Sequence, residues 1–419
     1  MSLSKPIRDA HEAKAAAECR EYHERFVRPQ RIGERRHAVA EFGERFYVER
    51  LRTSLAPAQR EAFRSLADAD HLAVEIAHDG QLPHLGIVRM VLKADAIARE
   101  DGRAVVLYLI GNHYTPEMRP DNIHYGMPLK GQPPNAVKHP PKIPIGRANL
   151  HTPFRLLPPP SAEDLDGLRR QLEDYVGHNV GYEQRVGLTV PDDAKEVLLS
   201  RLRSQFDLLA RAAHEVGNFG DWMIRVQRDL FTEMLGDRVA GVLFLPMAEL
   251  TDLFRKELAT VAQKESKSRF WLHCPECNRR ARLGWTPGTP VEFACAVCHH
   301  RATIPPEDVW QWLMPDIVAY ESGLFRLGID GWVVGSRAEY HPEIERVYSE
   351  CFGVPMPPKF VLPGVPRFRG VGDEPKGYGR TRLLRALLEV EPASLARALA
   401  GPWEEDPHIT SPFLPRADS

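Results

Sequence analysis

The stretch LAVEIAHDGQLPHLGIVRMVLKADAIAREDGRAVVLYLI, residues 72–110, decides the fold. The apolar run Leu72–Ile76 predicts a buried strand, and apolar residues at helical spacing between Ile87 and Ile97 predict an amphipathic helix. Gly102 is suited to end that helix, and Val105–Ile110 predicts a second buried strand. A strand, a helix and a strand of these lengths form a parallel crossover, which predicts an α/β protein with a doubly wound parallel sheet.

Length and composition limit the classes of protein. A chain of 419 residues exceeds the roughly 250 to 300 residues at which one core stops growing, so we expect two or more domains. The 55 basic and 57 acidic residues leave a formal charge of −2. The chain therefore lacks the overall basic charge of a nucleic-acid binder, but this composition does not exclude a local basic patch. No run approaches the roughly 18 apolar residues of a membrane span, and we expect a cytoplasmic protein with no membrane contact.

Composition also divides the rest of the chain. Residues 1–70 carry apolar residues at helical spacing and predict a helical N-terminal appendage. Eleven prolines between 120 and 160 exclude packed helix and central strand, and predict an ordered surface excursion or a linker. Ser161–Asp164 has the form of a helix start, and the residues that follow it to about 265 read as mostly helical. Apolar runs at Trp332–Val334 and Phe360–Leu362 predict returning strands.

Four cysteines follow the spacing C-x2-C, seventeen residues, C-x2-C. They are Cys274, Cys277, Cys295 and Cys298. Each pair offers two thiolates from one tight turn, and the intervening residues can bring the pairs into a tetrahedron, which predicts a zinc site in a reducing compartment. Four thiolates leave no position open for water, so we expect the zinc to be structural. Two alternatives stay open, four free thiols without a metal and the replacement of one cysteine by a flanking histidine, namely His273, His299 or His300.

The sequence Pro83-His84-Leu85-Gly86 lies between the first predicted strand and the start of the predicted helix. Backbone N–H groups and the helix dipole favour a phosphate at this position. An imidazole there could donate to phosphate oxygens as negative charge develops in a transition state. The alternative is a solvated or structural histidine.

Several stretches, in the same order along the chain, resemble the class I aminoacyl-tRNA synthetases, and within them the class I lysyl-tRNA synthetases. The matching stretches are His84–Arg89 (HLGIVR), Lys93–Ala96 (KADA), Leu107–Tyr114 (LYLIGNHY), Tyr125–Leu129 (YGMPL), Gly335-Ser336, Tyr348, Cys351–Pro355 (CFGVP) and Phe360–Leu362 (FVL). The paired cysteines also fall between the two halves of the nucleotide-binding fold, as they do in that family. The similarity covers about 70 to 135 and 270 to 380.

This resemblance implies a Rossmann-like nucleotide-binding domain that uses ATP with magnesium as co-substrate. Periodicity, composition and this resemblance together predict six segments. They are an N-terminal helical region (1–70), the first half of the Rossmann-like domain (71–155), a helical insertion (156–268), a zinc ribbon (269–304), the second half of that domain with a signature-loop remnant (305–382) and a C-terminal helical tail (383–419). The implied catalytic residues are His84 and Lys376. The implied ATP-binding residues are Gly86, Arg89, Gly335, Ser336, Arg337 and Gly377. The basic residues around Lys376 are alternatively an exposed tail.

The chain departs from that family at several positions. Ile87 stands where the family has a polar residue near the nucleotide, and Gly335–Ala338 replaces a segment near the ribose. The signature loop is reduced to Asp373–Gly377. Only about 40 residues follow, without room for an anticodon-reading domain. The turn Gly111–Thr115 lacks acidic residues that would pair with an ammonium side chain, which argues against lysine as the substrate.

Polar residues follow the second predicted strand, where open α/β sheets bind ligands. We expect Asn112, His113 and Tyr114 to contact an amino-acid substrate; alternatively His113 forms hydrogen bonds within its own loop. The resemblance at the His84 loop, together with the missing anticodon-reading domain, implies an ATP-dependent ligase that forms an aminoacyl adenylate and passes it to a small-molecule acceptor, with tRNA as the less favoured acceptor. The alternative is a catalytically inactive synthetase-like paralogue that binds RNA or a partner protein. The oligomeric state is left open.

Overall fold

The structure is a computed structural model of the chain. It describes residues 5–28, 33–80, 85–118, 123, 142–185, 194–254, 270–277, 279–282, 288–315, 331–335, 346, 349–350, 353, 355 and 359–361. The predicted C-terminal tail, 383–419, lies outside the described residues.

The described residues contain eight α-helices and ten strands. The helices are α1 (Lys5–Tyr22), α2 (Gly33–Arg45), α3 (Pro57–Ala67), α4 (Leu85–Asp101), α5 (Ala162–Arg185), α6 (Ala194–Glu215), α7 (Phe219–Leu235) and α8 (Met247–Leu253). The strands are β1 (Leu72–Asp79), β2 (Ala104–Gly111), β3 (Leu243–Pro246), β4 (Phe270–His273), β5 (Arg280–Arg282), β6 (Val291–Ala294), β7 (Arg301–Ile304), β8 (Leu313–Pro315), β9 (Gly331–Gly335) and β10 (Lys359–Val361). One π-helical turn (His23–Val27) continues α1 and another (Phe46–Arg50) continues α2.

Five of these strands form one sheet in the order β10–β9–β1–β2–β3, and every neighbouring pair is parallel. β1 pairs with β2 from Leu72↔Ala104 to Asp79↔Gly111, and α4 connects the two strands. The parallel crossover predicted over 72–110 is therefore confirmed, with strands two or three residues longer than expected. The two predicted returning strands are confirmed as β9 and β10, on the other side of β1.

Local sequence explains this crossover. All residues of β2 except Ala104 are buried, as expected for a central parallel strand that is covered on both faces. Gly102 has a φ of +71°, a left-handed conformation that costs glycine little, and its N–H donates to Ala98 O at 3.0 Å. The predicted end of α4 at this glycine is thus confirmed.

Helices cover both faces of the sheet. Tyr108 and Phe244 are register partners on one face, and their rings contact Phe231 of α7 with centroids 6.1 and 5.7 Å away. Leu245 points to the opposite face because side chains alternate along a strand. A Cβ atom at Gly43 of α2 would lie only 3.1 Å from the Leu245 side chain, so α2 packs on that second face.

The N-terminal helices are confirmed, but they are not an appendage. Phe46, Tyr47 and Phe63 are at most 1% exposed and belong to the main core. The Tyr47 hydroxyl accepts a hydrogen bond from the Phe244 N–H at 2.8 Å and so satisfies a donor of the edge strand β3. The periodicity of residues 1–70 predicts an apolar helix face, but it carries no information about which surface that face covers.

The range predicted as a helical insertion, 156–268, contains a strand of the main sheet. Leu243–Pro246 forms β3 and pairs with β2, so the description of this range as helical omits part of the sheet. A four-residue apolar run is too short for its period to separate a strand from a buried helix. The predicted helix start is confirmed, because the Asp164 N–H donates to Ser161 Oγ at 3.1 Å and Ser161 N–H donates to Asp164 Oδ2.

Residues 142–160 of the proline-rich range form an ordered and partly buried segment rather than a linker. Phe154 is fully buried and stacks on Phe219 with ring centroids 5.2 Å apart. Ile143 and Leu157 are also buried in the core. Prolines exclude regular helix and central strand, but they do not prevent the apolar residues between them from packing.

Candidate metal centre and the polar cluster at the sheet edge

Two antiparallel hairpins present the four cysteines. Cys274 follows β4 and Cys277 precedes β5, while Cys295 follows β6 and Cys298 precedes β7. Each C-x2-C pair is therefore the turn of a hairpin. The four Sγ atoms all lie within 4.8 Å of one another, so four cysteines are close enough to bind one metal ion such as zinc.

The sulfur geometry fits a tetrahedral ion. Four sulfurs at the usual Zn–S distance of about 2.3 Å are separated by about 3.8 Å along each edge of the tetrahedron. Cys274 Sγ lies 3.6 Å from Cys298 Sγ, and Cys277 Sγ lies 3.7 Å from Cys295 Sγ. Among the residues that the structure describes, the group of side chains close enough to share a metal ion consists of the four cysteines and includes none of the flanking histidines.

The second turn is shaped to present sulfur. The N–H groups of Val297 and Cys298 each point at Cys295 Sγ over 3.4 Å, and His299 adopts a left-handed φ of +60°. Burial opposes ionisation of the Cys295 thiol, but the N–H groups of Cys298 and Val297 outweigh it and lower its pKa to about 7. Burial raises the pKa of the Cys277 thiol to about 12. A bound cation would supply the positive charge that four adjacent thiolates require.

The predicted substrate residues lie at the carboxyl end of β2. Asn112, His113 and Tyr114 follow Gly111 directly, and the side chains of all three are fully buried. The Asn112 amide donates to Glu249 Oε2 at 2.8 Å and accepts from the Ala248 N–H at 3.0 Å. The side-chain amide of Asn112 thus bonds to groups of the protein itself, and substrate contact by these three residues stays a prediction.

A group of charged residues surrounds Asn112. We call Arg50, Asn112, Asp221 and Glu249 the edge cluster. Arg50 forms a two-bond pair with Asp221, Nε to Oδ2 at 2.9 Å and Nη2 to Oδ1 at 2.6 Å. Its Nη1 lies 2.7 Å from Glu249 Oε1, and Asn112 bonds to the other oxygen of Glu249. One guanidinium thus joins the N-terminal helices to α7, and through Glu249 of α8 to the carboxyl end of β2.

Burial governs the electrostatics of the edge cluster. Asp221 is 1% exposed, and burial raises its pKa, while the paired guanidinium acts in the opposite direction. Burial alone would lower the pKa of Arg50, but the carboxylates of Glu249 and Asp221 outweigh it and raise the pKa. Removing one partner would leave a buried charge uncompensated, which is the costly way to break such a pair.

The predicted nucleotide-binding residues are described only in part. Gly86 and Arg89 lie in the first turns of α4, and Gly335 is the last residue of β9. The remaining predicted residues, His84, Ser336, Arg337, Lys376 and Gly377, lie outside the described residues. Their roles stay predictions.

Sequence reasoning missed three residues of the edge cluster, Arg50, Asp221 and Glu249. Each lies on a helix among many other charged residues and carries no motif. The only sequence signal that could indicate a site residue is the position of Glu249 soon after β3. That signal is lost because the four-residue run of β3 does not by itself predict a strand. Convergence of residues 50, 112, 221 and 249 depends on tertiary structure.

A comparison of the chain with protein-family models finds no match, and a comparison with curated proteins finds no relative. Among the residues that the structure describes, no helix combines the length and apolar character needed to cross a membrane.

Proposed function

We propose that the chain is an ATP-dependent ligase similar to class I aminoacyl-tRNA synthetases. In the proposed reaction a carboxylate oxygen of an amino acid attacks the α-phosphorus of ATP, the new P–O bond forms an aminoacyl adenylate, and magnesium pyrophosphate leaves. An amine or hydroxyl of a small molecule then attacks the carbonyl carbon, AMP leaves, and the acceptor loses a proton to solvent. A tRNA end is the less favoured acceptor.

The order of the strands is the observation that carries this proposal. In chain order the five strands of the parallel sheet run 3-2-1-4-5, the order found in doubly wound Rossmann-like folds. That order reverses between β1 and β9. Ligands of open α/β sheets bind outside the carboxyl ends of the strands at such a reversal. The proposal therefore assigns the nucleotide to the crevice beyond Asp79 of β1 and Gly335 of β9.

This assignment agrees with the order of the predicted motifs. Residue 84 directly precedes α4, which begins at Leu85 after β1, and Ser336 directly follows β9. In the proposed site His84 donates to phosphate oxygens, and Lys376 neutralises the pyrophosphate that leaves. The proposed ATP contacts are Gly86, Arg89, Gly335, Ser336, Arg337 and Gly377.

The proposed metal is a structural zinc ion in a reducing compartment such as the cytoplasm. Sulfur ligands in tetrahedral geometry suit zinc, and four of them leave no position for water or substrate. Zinc would stabilise the hairpins that carry the cysteines, while the chemistry takes place at the carboxyl edge of the parallel sheet.

A second candidate is a synthetase-like protein that binds RNA or a partner protein without catalysis. The observation that favours it is the complete burial of Asn112, His113 and Tyr114, whose predicted role requires access for a substrate. The Asn112 amide is also already bonded to Glu249 and Ala248.

Calorimetric titration with ATP and magnesium tests the leading proposal. We expect saturable binding by the wild type and at least tenfold weaker binding by His84→Ala, roughly the value of one or two lost hydrogen bonds to phosphate. His37→Ala is the matched control, because His37 is an exposed histidine on α2, 64% exposed in its side chain, and should leave binding unchanged.

Pyrophosphate exchange across a panel of amino acids then tests the reaction. Exchange that depends on one amino acid supports the ligase. Absence of ATP binding at millimolar nucleotide, with or without amino acids, contradicts it. Salt-sensitive RNA binding without nucleotide turnover would instead support the second candidate, because contacts to phosphates weaken steeply as ionic strength rises.

A further inference from the structure

A chain of contacts connects the metal centre with the buried turn that follows β2. His273 directly precedes the ligand Cys274 and is 4% exposed. Its Nδ1 lies 3.5 Å from Nη2 of Arg155, at the long limit of a hydrogen bond. Because a guanidinium can only donate, Nδ1 is the acceptor in this contact and the neutral imidazole carries its proton on Nε2.

Arg155 also contacts two elements of the main body. Its Nη1 donates to Asp252 Oδ2 of α8 at 3.0 Å, and its backbone N–H donates to Asn112 O at 3.1 Å. Space around it is restricted, since a Cβ atom added at Gly220 would lie 3.1 Å from the Arg155 Cα. The side chain is 17% exposed, and burial lowers the pKa of its guanidinium. Such a buried cation depends on the acceptors that surround it.

The segment containing Arg155 restrains the turn 112–115 through the backbone. Arg155 N–H bonds to Asn112 O, and Phe154 N–H bonds to Tyr114 O at 2.8 Å. The four side chains of this turn are at most 2% exposed. Helix α8 also contributes, because the Ala248 N–H and the Glu249 carboxylate hold the Asn112 amide. The conformation of the turn is therefore set in part by Arg155, which also contacts His273, the residue before the first cysteine.

We propose that Arg155 is a positioning residue through which occupancy of the metal centre controls the order of the turn 112–115. A bound ion holds β4 and the Cys274 turn, so His273 stays within reach of the guanidinium. When the ion is removed, β4 loses this restraint, and Arg155 loses one acceptor of its buried side chain. The backbone bonds from residues 154 and 155 to the turn then open more often. The coupling itself is independent of the proposed ligase; only the meaning of the turn as a substrate contact rests on that function.

Hydrogen exchange of the full-length protein, measured by mass spectrometry, tests the coupling without any substrate. Zinc-loaded wild type is compared with the same protein after treatment with EDTA. We expect the peptide covering 110–118 to exchange about tenfold faster after chelation, a factor within the usual range for coupled sites. Strand β1 and residues 104–109 of β2 should keep their protection. A purely local role of zinc would raise exchange only within 270–315.

Variants of Arg155 separate positioning from general destabilisation. In Arg155→Ala we expect fast exchange at 110–118 even with zinc bound, and no further increase after chelation. Arg155→Lys keeps a cation near Asp252 but cannot also reach His273, and it should show a reduced response to chelation. Arg203→Ala is the control, because Arg203 is 58% exposed and pairs with Glu173 in the α5–α6 pair; it should respond to chelation like the wild type.

Two results would overturn the proposal. Unchanged exchange at 110–118 in chelated wild type would show that the metal does not act on the turn, whatever the variants do. A chelation response in Arg155→Ala as large as in the wild type would show that the signal bypasses Arg155. If Arg155→Ala does not fold, Arg155→Lys replaces it in the second comparison. Failure of ATP binding would leave these results unaffected and would count only against the ligase.

Discussion

The parallel sheet and the metal module, by which we mean the two cysteine hairpins within 270–304, are stabilised in different ways. In β2 seven of eight residues are buried, whereas burial alternates along β6 and, in β7, only Ile304 is buried. The sheet has helices on both faces, and these exclude water from nearly all of β2. Among the side chains that the structure describes, the first hairpin buries Leu272 and the second buries Val291, Phe293 and Ile304, besides their cysteines. Apolar burial contributes only about 1.5 to 3 kcal/mol for each large side chain.

From this difference we expect the two parts of the molecule to depend on different interactions for folding. The sheet is stabilised by burial of the apolar side chains of its strands and of the helices that cover it. The module buries fewer apolar side chains, and its four cysteines are close enough to bind a metal ion such as zinc, so we expect a bound ion to contribute much of its stability. The stability of the module should therefore depend on its metal content. The stability of the sheet body, by which we mean the parallel sheet and the helices that cover it, should depend on burial and hydrogen bonding.

Loss of the metal should have the largest effect. We expect Cys295→Ser, or EDTA treatment of the wild type, to unfold the hairpins over 270–304, because zinc contributes on the order of 10 kcal/mol to small metal-bound modules. Metal analysis and differential scanning calorimetry provide the measurement. Cys19→Ala removes a buried thiol outside the module and should retain one zinc per chain. A Cys295→Ser protein that keeps zinc and an unchanged unfolding profile would contradict the assignment.

Asn112→Asp should have the next largest effect. The new carboxylate would lose the donor to Glu249 and place a second negative charge against it in a buried site. We expect the free energy of unfolding to fall by about 4 kcal/mol, in the range seen for uncompensated buried charges. Urea unfolding measures this loss. Asn149→Asp, the same change at a half-buried turn, should cost far less, and equal losses at the two sites would argue against the edge cluster.

His23 should make the sheet body sensitive to acid. Burial, assisted by the nearby Arg36, lowers the pKa of His23 from its usual 6.5 to about 4. The unfolded chain therefore takes up a proton near pH 6.5 that the folded protein does not accept until about pH 4. Stability from this group is complete above pH 6.5 and falls by about 3 kcal/mol as the pH decreases to 4.

The variant His23→Gln should lose this contribution to the pH dependence. Urea unfolding at pH 7, 5.5 and 4.5 measures the slope, which should be shallower in His23→Gln than in the wild type. His37→Gln changes an exposed histidine and should keep the wild-type slope. If both variants titrate like the wild type, His23 is not the responsible group.

Tyr47→Phe should have the smallest effect. The change removes the hydroxyl that accepts from the Phe244 N–H at the edge of the sheet and leaves a buried donor without a partner. We expect a loss of about 1 to 2 kcal/mol in the free energy of unfolding. Thermal unfolding with and without EDTA should show the same loss for the transition of the sheet body. A loss that is absent after EDTA treatment would mean that the stability of the sheet body depends on the metal module.

The crossover over 72–110 could be predicted because its signals are local. An apolar run, an apolar face at helical period and Gly102 each act within a few residues. The paired cysteines could be predicted for the same reason, since each tight turn and its two thiolates are contained in four residues. β3 could not be predicted, because four apolar residues have no readable period.

The sequence by itself determined that an amphipathic helix lies between two buried strands along the chain. It also determined that four thiols, in two pairs at the spacing of hairpin turns, would lie close together. Tertiary structure alone decided that α2 and α3 cover the sheet, that β3 is one of its edge strands, and that Arg50, Asn112, Asp221 and Glu249 converge. The physical reason is the range of the interactions. Backbone propensity and turn geometry are written in neighbouring residues, whereas the partner of a buried charge is chosen only when distant elements pack together.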